Sequence, residues 1–298
     1  MMQARVHRNS SGGTPARQRG GIRRVVRFAF SNHLVLLGFV LTLVMVLMAV
    51  TAPYLATHDP LRTNVRNRLA PPSAEHLMGT DELGRDVFSR VVHGSRVSMR
   101  VGFSVVLATT LFGTLFGLLA GYVRRVDSLI MRTMDGLMAF PGILLAIAIL
   151  AALGQRESNV IIALSATYIP GMARVVRGSV LSLRELDFVT AARALGGSHP
   201  RIVLLHLLPN AVPPIIVNAT FILALAILAE AGLSYIGVGT PPPTPSWGNI
   251  LADGRGFMYH AYWMTVFPGL FIMIAVLGVN LLGDGLRDLI DPRMRGVN

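Results

Sequence analysis

The 298-residue sequence contains no cysteine. Disulfides, thiolate metal ligands and cysteine nucleophiles are therefore excluded. Lysine is missing as well, so all 27 basic residues are Arg. A phosphate-binding loop of the GxxxxGK(S/T) type needs Lys to reach the β- and γ-phosphates, and Schiff-base catalysis needs it as nucleophile. Neither chemistry is open to this chain. Charge is scarce: 14% of the residues are charged, against roughly 25% in a soluble domain. What is abundant is apolar: 52% of the chain, gathered in blocks rather than dispersed, the pattern of an integral membrane protein.

The net charge of +12 could serve nucleic acid, anionic lipid or membrane topology. The Arg residues flank apolar runs instead of clustering on one soluble face, which favours topology and disfavours nucleic acid. Residues 1–33 are polar and Arg-rich (RNSSGGTPARQRGGIRR), too polar to bury a core, and read as a flexible tail. The run at 34–56 is longer than the 7–15-residue apolar core of a secretory signal, and no A-x-A cleavage site follows it. It reads as an uncleaved first span. Further spans are expected at 101–123, at about 129–153, at 159–173 (short and weak), at about 213–233 and at 265–283. The fold class is thus all-α and polytopic, with six transmembrane helices. Its parts are the tail, the first span, an external loop 57–100, a five-helix core 101–285 with an inside loop 174–212, and a C-terminal tail 286–298. With the N-terminus inside, 18 of the 27 Arg lie inside and 9 outside, so both termini are expected in the cytoplasm.

The inside loop holds the most informative stretch, DFVTAARALGGSHPRIVLLHLLPN at 187–210. Residues 184–195 have helical spacing. Gly196-Gly197 then breaks the helix, because Gly takes left-handed backbone angles without a Cβ clash. Ser198 suits an N-cap and Pro200 a first turn. Pro209-Asn210 is expected to stop this second helix. The small faces of Ala191 and Ala192 permit close approach by another protein. The plain alternative is an amphipathic connector lying at the lipid interface.

These residues resemble a signature of ABC importer permeases: EAA, three residues, Gly, nine residues, I-x-L-P. Here Thr190-Ala191-Ala192 leads to Gly196, and His206-Leu207-Leu208-Pro209 follows at the same spacing, with Thr190 in place of Glu and His206 in place of Ile. The Ala-Ala-Arg-Ala-Leu-Gly version is similar to the peptide/nickel branch. HLMGTDELGRDVFSRVVHGSRVSM (76–99), LSYIGVGTPPPTPSWGNIL (233–251) and LLGDGLRDLIDPRMR (281–295) resemble the C-type subunit of that branch, so the likeness covers roughly 34–295. It implies the type I importer permease fold. It further implies that Thr190, Ala191, Ala192, Gly196, Gly197, His206 and Pro209 form a coupling element docking on a cytoplasmic ATPase. The implied partners are a second homologous permease, two ABC ATPase subunits, an external substrate-binding protein and membrane lipid. ATP and Mg would be bound by the ATPases, and this chain would carry no cofactor and no catalytic residue of its own. Short peptides are the implied substrate class, with glutathione and nickel left open.

Other residues have two readings each. Asp135 is a candidate pathway-lining group, or pairs on the helix surface with Arg132. Glu230 is a second pathway candidate, or bonds backbone at the nearby Gly-rich exit. Phe140-Pro141 and Pro268 read as kinks or packing features. Glu82–Arg85 and Asp86–Arg90 have helix ion-pair spacing, and Trp247 reads as interfacial on a stiff external loop. The eight His show no HExxH or paired ligand spacing, so no metal is expected. A secondary transporter would want mid-span carboxylates and an internal repeat. A membrane enzyme would want a nucleophile–base constellation, and neither pattern is evident.

Overall fold

The computed structural model describes residues 33–290, and among them every element is helical. The Arg-rich segment 1–32 and residues 291–298, which carry the end of the last motif, lie outside the described residues. Ten helices follow in order: α1 His33–Leu55, α2 Val87–Tyr122, α3 Arg124–Met138, α4 Gly142–Leu153 and α5 Glu157–Leu183. Then come α6 Asp187–Ala194, α7 His199–Ile202, α8 Leu208–Tyr235, α9 Trp247–Gly254 and α10 Trp263–Ile290. Five stretches are long and apolar enough to cross a bilayer: α1, α2, α5, α10 and the continuous run His199–Tyr235. The α3–α4 pair makes a sixth crossing when counted as one broken span. The chain is a multi-pass membrane protein.

The expected straight span at 129–153 is corrected by a 91° bend between α3 and α4. Pro141 has no N–H and cannot continue α3. The two halves also differ in character. Gly142–Leu153 carries no charge, whereas α3 carries Arg124, Arg125, Asp127, Arg132 and Asp135. Twelve residues of α4 rise only about 18 Å, well short of a hydrocarbon core of about 30 Å.

Three other spans outrun their expected limits by ten residues or more. α2 starts at Val87, not 101, and its first turns bury Ser89, Arg90, Ser95 and Ser98. Hydropathy reads such residues as loop, but here each makes a hydrogen bond or ion pair inside the protein. α5 extends past 173 to Leu183 because Arg174 and Arg177 find partners on α3. Pro209-Asn210 does not stop a helix. A π turn at Val203–Leu207 shifts the register, with Leu208 N–H donating to Val203 O, and the helix continues through Pro209, Pro213 and Pro214 to Tyr235. The Asn210 side-chain amide adds a bond to His206 O at 2.7 Å. Pro268 sits early in α10 without breaking it.

α2 packs along α5 through a glycine seam. A Cβ on Gly113 would lie 2.6 Å from Met172, on Gly117 2.6 Å from Val176, and on Gly121 2.7 Å from Val180. The spacing of four places all three on one helix face, and their missing side chains let the backbones approach closely. One apolar cluster joins the start of α2 to α1, α9 and α10 around Trp247, Trp263 and Met264. The other joins α2, α4, α5 and α8 around Leu150, Met172 and Leu207. Loops 56–86 and 236–262 meet at one end of the bundle, and residues 184–207 lie at the other.

Candidate functional site

The stretch 184–207 folds as a short helix, a tight turn and a second helix running into α8. Ala192 O accepts from Gly197 N–H and Arg193 O from Gly196 N–H, both at 3.0 Å. Gly196 has φ +79°. This is a Schellman turn, and its positive φ explains the glycine. The Gly197 Cβ position is blocked by Ala192 O at 2.7 Å, so both glycines are required, for different reasons. Ser198 holds the N-cap position of α7 without a side-chain bond, and Pro200 falls in the first turn.

The element is anchored rather than loose. Val189, Ile202 and Leu207 are buried within the α2–α5–α8 cluster. Arg184 Nη1 donates to Gly121 O at 3.0 Å, and Tyr122 Oη meets His199 Nδ1 at 2.6 Å, fixing the element to the end of α2. Its outer surface is apolar and uncovered in the isolated chain: Leu186, Phe188, Leu204 and Leu205 are exposed, and Leu195 at the turn is 88% exposed. Thr190, Ala191, Gly196 and Pro209 are exposed, while Ala192, Gly197 and His206 are half-buried. The His206 ring lies 6.4 Å from Phe188. Six of the seven residues expected to act together thus share one compact element, and Pro209 continues it into α8. Tyr122 and Arg184, which hold it, carry no spacing signal in the sequence.

Residues 113–296 match the family model for the binding-protein-dependent transport system inner membrane component. Residues 22–72 match the N-terminal TM domain of oligopeptide transport permease C. The chain belongs to this family of inner membrane transport components. A putative peptide transport system permease protein of Brucella suis is 52% identical over 87% of the chain and 88% of its own length. A dipeptide transport system permease protein of Alkalihalophilus pseudofirmus is 47% identical over 89% of the chain and 87% of itself. A di/tripeptide transport system permease protein of Pseudomonas aeruginosa is 42% identical over 87% and 88%. Among solved structures, a chain of the MetNI methionine ABC transporter in an inward-facing crystal form aligns with 68% of this chain and 98% of its own, at TM-score 0.55 and 21% identity. That likeness identifies the fold as the ABC importer permease fold.

Within this inner membrane component the two pathway candidates sit differently. Asp135 does not pair with Arg132. It accepts from Arg174 Nη2 of α5 at 2.8 Å, near the broken α3–α4 joint, and both side chains are exposed. About two turns earlier on α3, Asp127 makes a two-pronged pair with Arg177, at 2.6 and 2.7 Å. Two ion pairs therefore hold α3 across α5. Glu230 reaches no surface of the chain. It is enclosed between α2 and α8, accepting from Ser98 Oγ at 2.9 Å and from Ser234 Oγ at 2.8 Å. Its partners are hydroxyls, not backbone, although Ser234 Oγ in turn accepts from Thr240 N–H at 3.1 Å. Enclosure of this kind makes Glu230 a helix-to-helix bolt in this structure.

At the opposite end, the 76–99 motif builds a charged knot. Asp81 is fully buried, accepts from Leu83 and Arg85 N–H, and pairs with both Arg85 and Arg90. Both arginines also reach Asp253 of α9, at 3.3 and 3.0 Å. Arg85 meets Glu82 as expected, at 3.4 Å. The expected Asp86–Arg90 pair is not formed, because Asp86 caps α2, accepting from Ser89 N–H at 2.8 Å. Burial pushes the Glu82 carboxyl above its ordinary range, and neighbouring Asp81 adds to the effect. Trp247 is buried, not interfacial, and donates to Val91 O at 3.0 Å. The knot thus ties loop 56–86 to α2 and α9.

Proposed function

We propose that this chain is the transmembrane permease subunit of an ATP-driven importer of short peptides. It supplies half of the translocation pathway, and a second homologous permease supplies the rest. ATP hydrolysis falls to two cytoplasmic ABC ATPases, which bind the ATP and Mg, and an external binding protein delivers the substrate. Both termini are cytoplasmic, which puts residues 184–207 on the ATPase side and loops 56–86 and 236–262 on the binding-protein side. The Arg distribution supports this orientation. The peptide assignment is supported by the relatives' own names at 42–52% identity over most of both chains.

The observation that carries the coupling role is the apolar, uncovered face of a firmly anchored element. A displaced ATPase surface can move transmembrane helices only through a stiff contact. Here α6 and α7 are pinned by Tyr122, Arg184 and the buried Val189, Ile202 and Leu207. The exposed Leu186, Phe188, Leu195, Leu204 and Leu205, together with small exposed Ala191, make up the docking face. The test is uptake of a labelled dipeptide into proteoliposomes holding the whole complex. Uptake that needs the binding protein and ATP, and that unlabelled di- or tripeptides compete away, supports the assignment. ATP-driven uptake that peptides do not compete for, and that glutathione or nickel does, overturns the peptide assignment.

A further inference from the structure

We propose that His58, His76 and Asp86 form a binding site for a late first-row divalent cation of the zinc type, within loop 56–86. This goes beyond the transport reading and does not depend on it. The three donors are 18 and 10 residues apart in sequence, so no short-range ligand spacing reveals them. In the fold their ligand atoms all lie within 4.8 Å of one another. Asp86 Oδ1 is 2.9 Å from His76 Nδ1 and 3.8 Å from His58 Nδ1. Ligands on one tetrahedral zinc, at 2.0–2.1 Å from the ion, are separated by about 3.3 Å. The two Asp86 distances bracket that value and the ring-to-ring pair lies within 4.8 Å, so side-chain rotations that draw the two rings together bring all three onto one ion.

Each donor is already held in place by other bonds. Asp86 divides its oxygens: Oδ2 caps α2 through Ser89 N–H, which leaves Oδ1 to face the two rings. The His58 backbone N–H donates to Ser89 Oγ at 3.0 Å, fixing the ring over the start of α2. The rings of His58 and His76 lie 4.9 Å apart, tilted 35°. His76 Nε2 is 3.3 Å from the Asn67 side-chain amide. Turned to present its oxygen, that amide accepts the Nε2 proton and leaves Nδ1 as the ligand, the usual outer-shell support for a metal-bound imidazole.

A single His76–Asp86 hydrogen bond accounts for only part of this arrangement. His58 Nδ1 meets Thr57 Oγ1 at 3.1 Å and also lies 3.8 Å from the same Asp86 oxygen, at the mouth of a cavity of about 470 Å³. That cavity is acidic. Asp59, Glu75 and Asp86 line it against one cation, Arg62. Asp86 and His76 are buried, whereas the His58 side chain is 36% exposed, which gives an ion a path in and room for water ligands. Two imidazoles and one carboxylate suit zinc, nickel or copper rather than magnesium or calcium. Bound there, the ion would join the chain just past α1 to the first turn of α2, closing loop 56–86.

The test uses the purified complex in detergent without a polyhistidine tag, stripped with EDTA and titrated with zinc against a chromophoric chelator. His58→Ala is the informative variant, since it keeps the His58 backbone bond, the α2 cap and the His76–Asp86 contact. We expect one zinc per copy of this chain. His58→Ala should weaken binding by more than the ~10–100-fold typical of losing an outer-shell partner. His58→Cys should restore it, and His260→Ala should leave it unchanged. Zinc should raise the unfolding temperature of the wild-type complex and not of His58→Ala, and millimolar calcium should not compete. Equal zinc affinity in wild type and His58→Ala, or displacement of zinc by calcium, would overturn the proposal.

Discussion

The Schellman turn at Gly196 offers a perturbation whose size follows from the geometry. Gly196 has φ +79°, and no atom lies within 4 Å of where its Cβ would stand. Substitution there meets no neighbour, so the penalty is the backbone's alone. A left-handed conformation costs an ordinary L-residue roughly 1–2 kcal/mol. That is a factor of about 5–30 in the population of the native turn. Asn tolerates this conformation far better than Ala. The order of variants is therefore set in advance. Gly196→Asn keeps the turn, and Gly196→Ala loses part of it. Gly196→Trp adds a bulky side chain pointing into open space on the face proposed to meet the ATPase. The assay is parallel measurement of ATP hydrolysis and peptide uptake by reconstituted complexes, with membrane insertion and assembly checked first. Gly178→Ala, in α5 with nothing within 4 Å of its Cβ, is the control. Gly196→Asn should stay near wild type, Gly196→Ala should lose coupled uptake several-fold, and Gly196→Trp should assemble but not couple. Wild-type uptake per ATP in both the Ala and Trp variants would refute the reasoning.

Three further predictions rest on other parts of the fold. Gly117→Val should open the α2–α5 seam, because its Cβ would sit 2.6 Å from both Ala173 O and Val176; overpacking of this kind costs about 1–3 kcal/mol, whereas Gly136→Ala, with nothing within 4 Å, should be neutral or slightly stabilising by thermal unfolding. The Asp127–Arg177 pair is part-exposed, so an alanine double-mutant cycle on unfolding should return a coupling of about 0.5–1 kcal/mol, and a coupling of zero would show that α3 is held by packing alone. Glu82, its carboxyl raised by burial, is easier to ionise in the unfolded chain than in the folded one. Its contribution is most favourable below the ordinary carboxylate range and declines as pH rises through the raised folded value. Glu82→Gln should therefore raise the unfolding temperature at pH 7 more than at pH 4, and the opposite order would contradict the burial argument.

How far the sequence could be read depended on which forces set each element. α1 is an apolar block, and its span emerged within a residue because hydropathy alone decides it; α10 began where expected but runs to Ile290, past the apolar run that ended the expected span at 283. The Gly196-Gly197 turn was legible because a positive φ selects glycine locally. Signals failed where tertiary partners overrode composition. Arg174 and Arg177 looked like the end of a span but continue α5, since Asp135 and Asp127 neutralise them from another helix. Pro209 looked like a stop, but a π turn just before it shifts the register and Pro209 falls in the first turn of the helix that follows. The polar first turns of α2 and the indole of Trp247 looked exposed, yet Glu230, Asp253 and Val91 O are waiting for Ser98, Arg90 and the indole N–H. His58, His76 and Asp86 converge only after the loop has closed on α2, so no one-dimensional spacing could have joined them.

The central claim is that helix α6 and its glycine turn contact an ATPase subunit. It is tested most directly by placing a photo-crosslinking amino acid at Ala191 or Leu195, one at a time, in native membranes. Gly136 on α3, which has open space around it, serves as the comparison site. Mass spectrometry then identifies what each site captures. The account predicts that 191 and 195 capture a P-loop ATPase, that 136 does not, and that a second six-span permease co-purifies with the complex. Recovery of this chain alone or with further copies of itself, with no ATPase crosslinked at 191 or 195, would contradict it.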